Sequence, residues 1–130
     1  MKLIKSLILV VLVVFTGMVK ADDGVLGQIS LALKNGNSKE LAKMFDSNVE
    51  LKILDQDGAY SATQAEQVLK DFFTKNPSQG FELIHKGSSN EGSQYGIGNL
   101  TTSSGVYRTY FYIKQKSGHY KIQELRIEQE

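Results

Sequence analysis

Between Phe81 and Glu128 the chain breaks into four strand-like runs: Phe81–Lys86, Gln94–Thr102, Val106–Lys114 and Tyr120–Glu128. Clusters of Gly, Ser and Asn separate them, at Gly87–Gly92, Thr102–Gly105 and Ser117–Gly118. Connections this short and polar join neighbouring antiparallel strands, so the runs are expected to form a meander. Gly96 and Gly98 in the second run, and the change of phase between Ile122 and Leu125 in the fourth, are read as bulges that curl the sheet. A curled sheet needs something to fill its hollow, and the first half of the chain supplies it.

That half reads as helices around a short hairpin. Val25, Ile29, Leu31, Ala32 and Leu33 recur at near-helical spacing, and Gly36 stops the run. Asn37 or Ser38 caps a second, short helix whose apolar stripe is Leu41, Ala42, Met44 and Phe45. Val49–Leu54 alternates as a half-buried strand, Asp57-Gly58 signals a turn, and Ala59-Tyr60 returns. A third helix follows. Ser61 with Gln64, or Thr63 with Glu66, fits a capping box, and Ala65, Val68, Leu69, Phe72 and Phe73 form the buried face. Asn76-Pro77 ends it, because the residue before a proline is pushed out of helical geometry. Helices gathered before strands define an α+β domain. The expected order is α-α-β-β-α-β-β-β-β, a cone-shaped, curved antiparallel sheet wrapped around the helices.

The first 21 residues carry a different signal. Lys2 and Lys5 precede an apolar run, Leu7–Phe15, and Val19-Lys20-Ala21 places compact residues where a signal peptidase reads. This is the layout of a cleaved export signal, with the cut expected after Ala21. The run is about half the ~20 apolar residues that span a bilayer, which disfavours an uncleaved anchor. Residues 22–130 then form one domain of ordinary size. Three of the 15 basic residues, Lys2, Lys5 and Lys20, leave with the signal, so 12 face 14 acidic ones at a net −2. A nucleic-acid binder would show a basic stripe instead, and no membrane-surface role is expected after cleavage. The chain has no cysteine, so no disulfide, thiolate metal site or lipoprotein anchor is available. The mature protein is expected to be soluble, in the periplasm or outside the cell.

The chain resembles the nuclear-transport-factor-2-like superfamily. More narrowly, it is similar to a family of small exported bacterial proteins classed as a domain of unknown function. The likeness rests on Tyr60-Ser61 with Gln64-Ala65, Phe72-Phe73 with Asn76-Pro77, and His85-Lys86-Gly87 with Ser89. It continues through Tyr95-Gly96-Ile97-Gly98, Tyr107-Arg108 and Glu124-Leu125-Arg126-Ile127. The resemblance implies a cone-shaped α+β fold. Enzymes of the superfamily hold a Tyr and one or two Asp residues inside the cone. This chain places Leu31 and Leu33 on its first helix, while Asp55 and Asp57 flank a turn and Asp71 falls on a polar helix face.

Two groups of residues could carry function. By strict alternation His85 shares a face with Phe81 and Leu83, pointing into the hollow, where a neutral imidazole could act as general base or bond a ligand. The open end near Tyr60, His85 and Tyr95 is then the expected site for a small apolar or peptide-like ligand. The enzymatic alternative is an isomerase- or hydratase-like reaction with His85 as base. Arg108, Tyr110 and Tyr112 form the second group. Tyr107, Phe111 and Ile113 take the core side, leaving these three on the outer face near Glu124 or Arg126. Tyr and Arg are enriched in binding hot spots, so this stripe is the expected homodimer surface. Gly96-x-Gly98 opens no helix and is no dinucleotide loop. No metal or cofactor site is expected. The reading is of a binding module rather than an enzyme.

Overall fold

Short-range chemistry sets the helices of the computed structural model, which describes residues 24–130; the expected signal segment lies outside the described residues. Helix α1 (Gly24–Asn35) stops where Gly36 takes a φ of +62°. The Ser78 hydroxyl donates to the terminal carbonyls of Leu33 (2.8 Å) and Lys34 (2.9 Å). Asn37 caps α2 (Ser38–Lys43) through its side-chain oxygen. Helix α3 (Ala62–Lys75) opens on a complete capping box: Ser61 accepts from the Gln64 N–H and Gln64 from the Ser61 N–H. Such caps are worth about 1 kcal/mol. The alternative cap at Thr63 is not used, and Asn76 closes the helix as expected.

Six strands follow the expected order: β1 (Phe45–Ile53), β2 (Gln56–Ser61), β3 (Ser78–Ser88), β4 (Ser93–Thr102), β5 (Gly105–Lys116) and β6 (His119–Gln129). They form one curved, unclosed sheet, β2-β1-β6-β5-β4-β3. β3 to β6 make the antiparallel meander, and the β1–β2 hairpin joins it through one parallel ladder between β1 and β6.

Two boundaries differ from the sequence reading. Phe45 does not finish the α2 stripe; it opens β1, buried and opposite Ile122, because the Ile122 N–H donates to Met44 O at 2.7 Å and draws the chain into the sheet. The hairpin turns at Leu54-Asp55, not at Asp57-Gly58, which pair with Lys52 and Leu51. The Leu54 N–H donates to Ile127 O at 3.0 Å and fixes where β1 ends, at the cost of a positive φ of 56° at Leu54. That register also sets Tyr60 opposite Val49 and against the core.

The three helices cover one face of the sheet. Leu26, Ile29 and Leu33 of α1 and Ala65, Leu69, Phe72 and Phe73 of α3 meet Val49, Leu51, Leu100, Phe111, Leu125 and Ile127 in one core. Phe72 packs edge-on to Phe73 (5.4 Å) and Tyr107 (5.3 Å), pairs worth about 0.5–1.5 kcal/mol beyond their burial.

Bulges curl the sheet, but they fall on β3, between Ser78 and Gly80 and between Leu83 and His85, and on β6, between Ile122 and Glu124, while the β1–β6 ladder shifts between Phe45 and Glu50. The β6 bulge lies at the expected phase change. Gly96 and Gly98 stay in regular register and serve another purpose. They leave room for the rings of Phe111 and Phe81 to lie across β4.

Asp46, at the start of β1, ties the ends of three strands together. Its carboxylate accepts from Lys116 Nζ at 2.6 Å, the Ser47 N–H at 2.8 Å and the Gln123 amide at 3.0 Å. Those bonds, led by the Lys116 one, lower its pKa from 3.8 to about 2. A depressed carboxylate pKa stabilises the fold above the unfolded value, and that gain is lost as pH falls through the folded one. Asp46→Asn is therefore expected to cost about 1–2 kcal/mol near neutral pH. The difference from wild type should shrink between pH 3.8 and about 2, as read by urea unfolding at stepped pH. Gly98→Ala is expected to cost about 2–3 kcal/mol in the same assay, because a methyl group there meets the Glu82 carbonyl and the Phe81 ring.

Candidate functional site

β5 divides the two faces of the sheet. Tyr107, Thr109, Phe111 and Ile113 are buried beneath the helices, and Arg108, Tyr110 and Tyr112 point the other way. Cross-strand pairing extends this outer face. Arg108, Tyr110 and Tyr112 oppose Glu128, Arg126 and Glu124 of β6 on one side. On the other they oppose Asn99, Ile97 and Tyr95 of β4. The placement of the stripe beside Glu124 and Arg126 is the one read from the alternation.

Two hollows on this face flank the Tyr and Glu124 side chains. A groove of about 390 Å³ runs between Ile97, Arg108, Tyr110, Glu124, Arg126 and Glu128. A second, of about 320 Å³, lies over Asn48, Glu50, Ala59, Tyr112, Gln123 and Glu124. Arg126 Nε donates to Glu124 at 2.8 Å and its Nη1 lies 3.7 Å from Glu128. That bond to Glu124 pushes the guanidinium pKa up. Arg108 has no hydrogen-bond or ion-pair partner among the described residues. Burial first, and then the Glu124 carboxylate, pushes the Tyr110 phenol above its ordinary value of 10.0. The Tyr110 phenol thus holds its proton more firmly than an ordinary tyrosine. Its ring sits 6.5 Å from that of Tyr95, tilted by 34°.

The expected ligand site at Tyr60, His85 and Tyr95 is not assembled. Tyr60 lies on β2 and packs toward the core, while His85 and Tyr95 lie on β3 and β4 at the opposite side of the sheet. His85 does not enter the hollow. Leu83 pairs with Gly98 but His85 with Ile97, so the extra residue Ile84 turns His85 to the outer face, where it is exposed. Strict alternation is correct up to Leu83 and inverts after it. Tyr95 stays on the outer face, its ring lying over Gly87. Residues that the sequence reading missed are Ile97, Ala59, Glu50 and Glu128. Reading Gly96-Ile97-Gly98 as a bulge concealed Ile97, although its spacing from Tyr95 carried the signal. Among the described residues no three His, Asp or Glu side chains gather as metal ligands, and no helix is long and apolar enough to cross a membrane.

An α+β domain with three helices on one face of a curved sheet has the architecture of the cystatin-like fold. Residues 26–128 match the model of the DUF4783 family, described as a domain of unknown function, and the chain belongs to that family. It is similar to the crystal structure of a DUF4783 family protein from Bacteroides ovatus ATCC 8483. The TM-score is 0.75 at 31% identity, over 79% of this chain and 93% of that one. A second such protein, from Bacteroides uniformis ATCC 8492, gives 0.77 at 28% identity, over 82% and 97%. A cystatin-like domain of unknown function from Nostoc punctiforme shares the fold alone, at 0.68 and 11% identity, over 86% and 79%. Among proteins with curated descriptions, none matches.

The phenol environment has a direct readout. Ultraviolet titration of the folded protein is expected to show a tyrosine step above pH 10.0 that Tyr110→Phe removes.

Proposed function

We propose that this chain is a non-enzymatic binding module that works outside the cytoplasm as a homodimer, joined through the outer face of its sheet. One observation carries the reading. Arg108 and the Tyr95, Tyr110 and Tyr112 hydroxyls have no hydrogen-bond partner among the described residues, yet they stand together on a face that none of the described helices covers. A monomer gains little from aromatic and Arg side chains arrayed outward, whereas Tyr and Arg anchor protein interfaces. Beside them Ile97 supplies an apolar floor, and opposite charges on β6 supply polar complements. The Lys2–Ala21 pattern supports export, and Asp22, standing where a lipoprotein needs Cys, supports release of a free domain.

Sedimentation equilibrium at tens of micromolar is expected to give a dimer. Loss of an interface anchor costs about 2 kcal/mol or more, so Tyr110→Ala should weaken association by at least about thirtyfold. Its far-ultraviolet dichroism should be unchanged. A wild-type chain that stays monomeric at ~100 μM, weaker than the affinity range of ordinary stable interfaces, would remove the reading.

A further inference from the structure

Lys114 of β5 and Lys121 of β6 stand directly opposite each other. Where two charged side chains meet elsewhere in the antiparallel ladders their signs are opposite, Lys52 with Asp57 and Arg108 with Glu128. Both lysines lie on the outer face, because the neighbouring Ile113 and Ile122 are buried in the core. Side chains so placed are about 5 Å apart at Cβ, and like charges there destabilise the ladder. Neither ammonium group has a hydrogen bond or ion pair among the described residues.

The carboxylates of the flanking rows are engaged by other cations. On the turn side Lys116 faces His119, and Asp46 is bonded to Lys116 at 2.6 Å. On the other side Tyr112 faces Glu124, which is bonded to Arg126 at 2.8 Å. Toward β4, Lys114 faces the uncharged Ser93. Glu91, on the connection between β3 and β4, forms no ion pair with either lysine. In the parallel ladder Glu50 also adjoins Glu124, but Lys52 and Arg126 occupy the next row, so two cations answer two carboxylates there. At the turn end of β5 and β6, Lys114, Lys116, Lys121 and His119 share Asp46.

We infer that Lys114 and Lys121 form a binding site for a doubly charged oxyanion, the phosphate group of a monoester. Two ammonium groups on adjacent strands, one strand spacing of about 4.8 Å apart at the backbone, reach a single anion held between them. A divalent anion answers both charges at once, whereas a carboxylate carries one charge and answers one lysine. Each ammonium is a compact charge with three donors and no fixed fork, which suits a tetrahedral oxyanion approached from two sides. The bound phosphate turns the repulsion across the ladder into two attractions. This site goes beyond the homodimer reading and does not rest on it.

The experiment titrates inorganic phosphate, above its second pKa and at fixed ionic strength, into the isotope-labelled protein, with acetate as the singly charged control. Saturable nuclear magnetic resonance shifts are expected at the Lys114 and Lys121 amide and side-chain signals. Phosphate should bind about tenfold more tightly than acetate, and K114Q or K121Q should each weaken it about tenfold or more, as loss of a hydrogen bond to a charged group does. K121R keeps the charge and should keep binding. Both positions are on the outer face, so unchanged spectra elsewhere show that the variants fold. Phosphatidylcholine vesicles carrying phosphatidic acid distinguish the source of the phosphate. Cosedimentation that K114Q and K121Q abolish assigns it to a lipid headgroup; phosphate binding without cosedimentation assigns it to a soluble ester, and either result supports the site. Phosphate that binds no better than acetate, or equally well to the K114Q/K121Q double variant, overturns it. Sedimentation of the wild type decides the homodimer separately.

Discussion

The alternation of β5 is the constraint on which the rest of this structure depends. β5 lies near the middle of the sheet, paired along its length with β4 and β6. A strand has a side-chain period of two, so slipping its register by one residue would exchange faces. Phe111 and Ile113 would go to solvent and Arg108 and Tyr112 under the helices. Burying an unpaired guanidinium costs far more than any local hydrogen bond returns. The neighbouring strands inherit this choice. Leu125 and Ile127 face inward on β6 because they pair with Phe111 and Thr109, and Leu51 and Ile53 follow on β1.

Where a neighbour cannot keep that phase by regular pairing, it inserts a residue. On β6 the bulge at Gln123 keeps both Ile122 and Leu125 in the core. It also aims the Gln123 amide at Asp46, so that one irregularity joins β6 to the start of β1. On β3 the bulge at Ile84 acts the other way. It ends the inward run after Leu83 and releases His85 and Gly87 to the outer face, where Tyr95 lies over Gly87. The glycines of β4 complete the curvature by letting rings from both flanking strands cross it.

This explains what could be read from the chain and what could not. Elements held by neighbours in sequence were legible: the Ser61–Gln64 capping box, the stop at Gly36, the end at Asn76-Pro77 and the four meander strands. The outer placement of Arg108, Tyr110 and Tyr112 was legible too, since five or more alternating positions outvote any single exception. Features decided by distant partners were not. Asp57-Gly58 is the stronger local turn signal, yet the bond from Leu54 to Ile127, far along the chain, moves the turn. Phe45 suits either a helix stripe or a strand, and its pairing with Ile122 decides. His85 was misplaced because one inserted residue, with no mark in the sequence around Ile84, inverts everything after it.

That inversion reshapes the functional argument. Had His85 entered the hollow, a base in an enclosed site would have been available, and the core beside Phe81 and Leu83 would have needed a polar group at its margin. Instead the ring of Phe72 packs on those of Phe73 and Tyr107, the buried Phe111 ring lies beside Phe81, and His85 stands on the opposite face. There Arg126 and its partners Glu124 and Glu128 stand on β6 beside the phenols of β4 and β5, a placement set by the same register that buries the core. A face built by β5 alternation is flat to sequence noise: changing one outward residue leaves the fold intact. Such a surface can change while the core beneath it stays fixed, because the two sets of side chains share a backbone and no contacts.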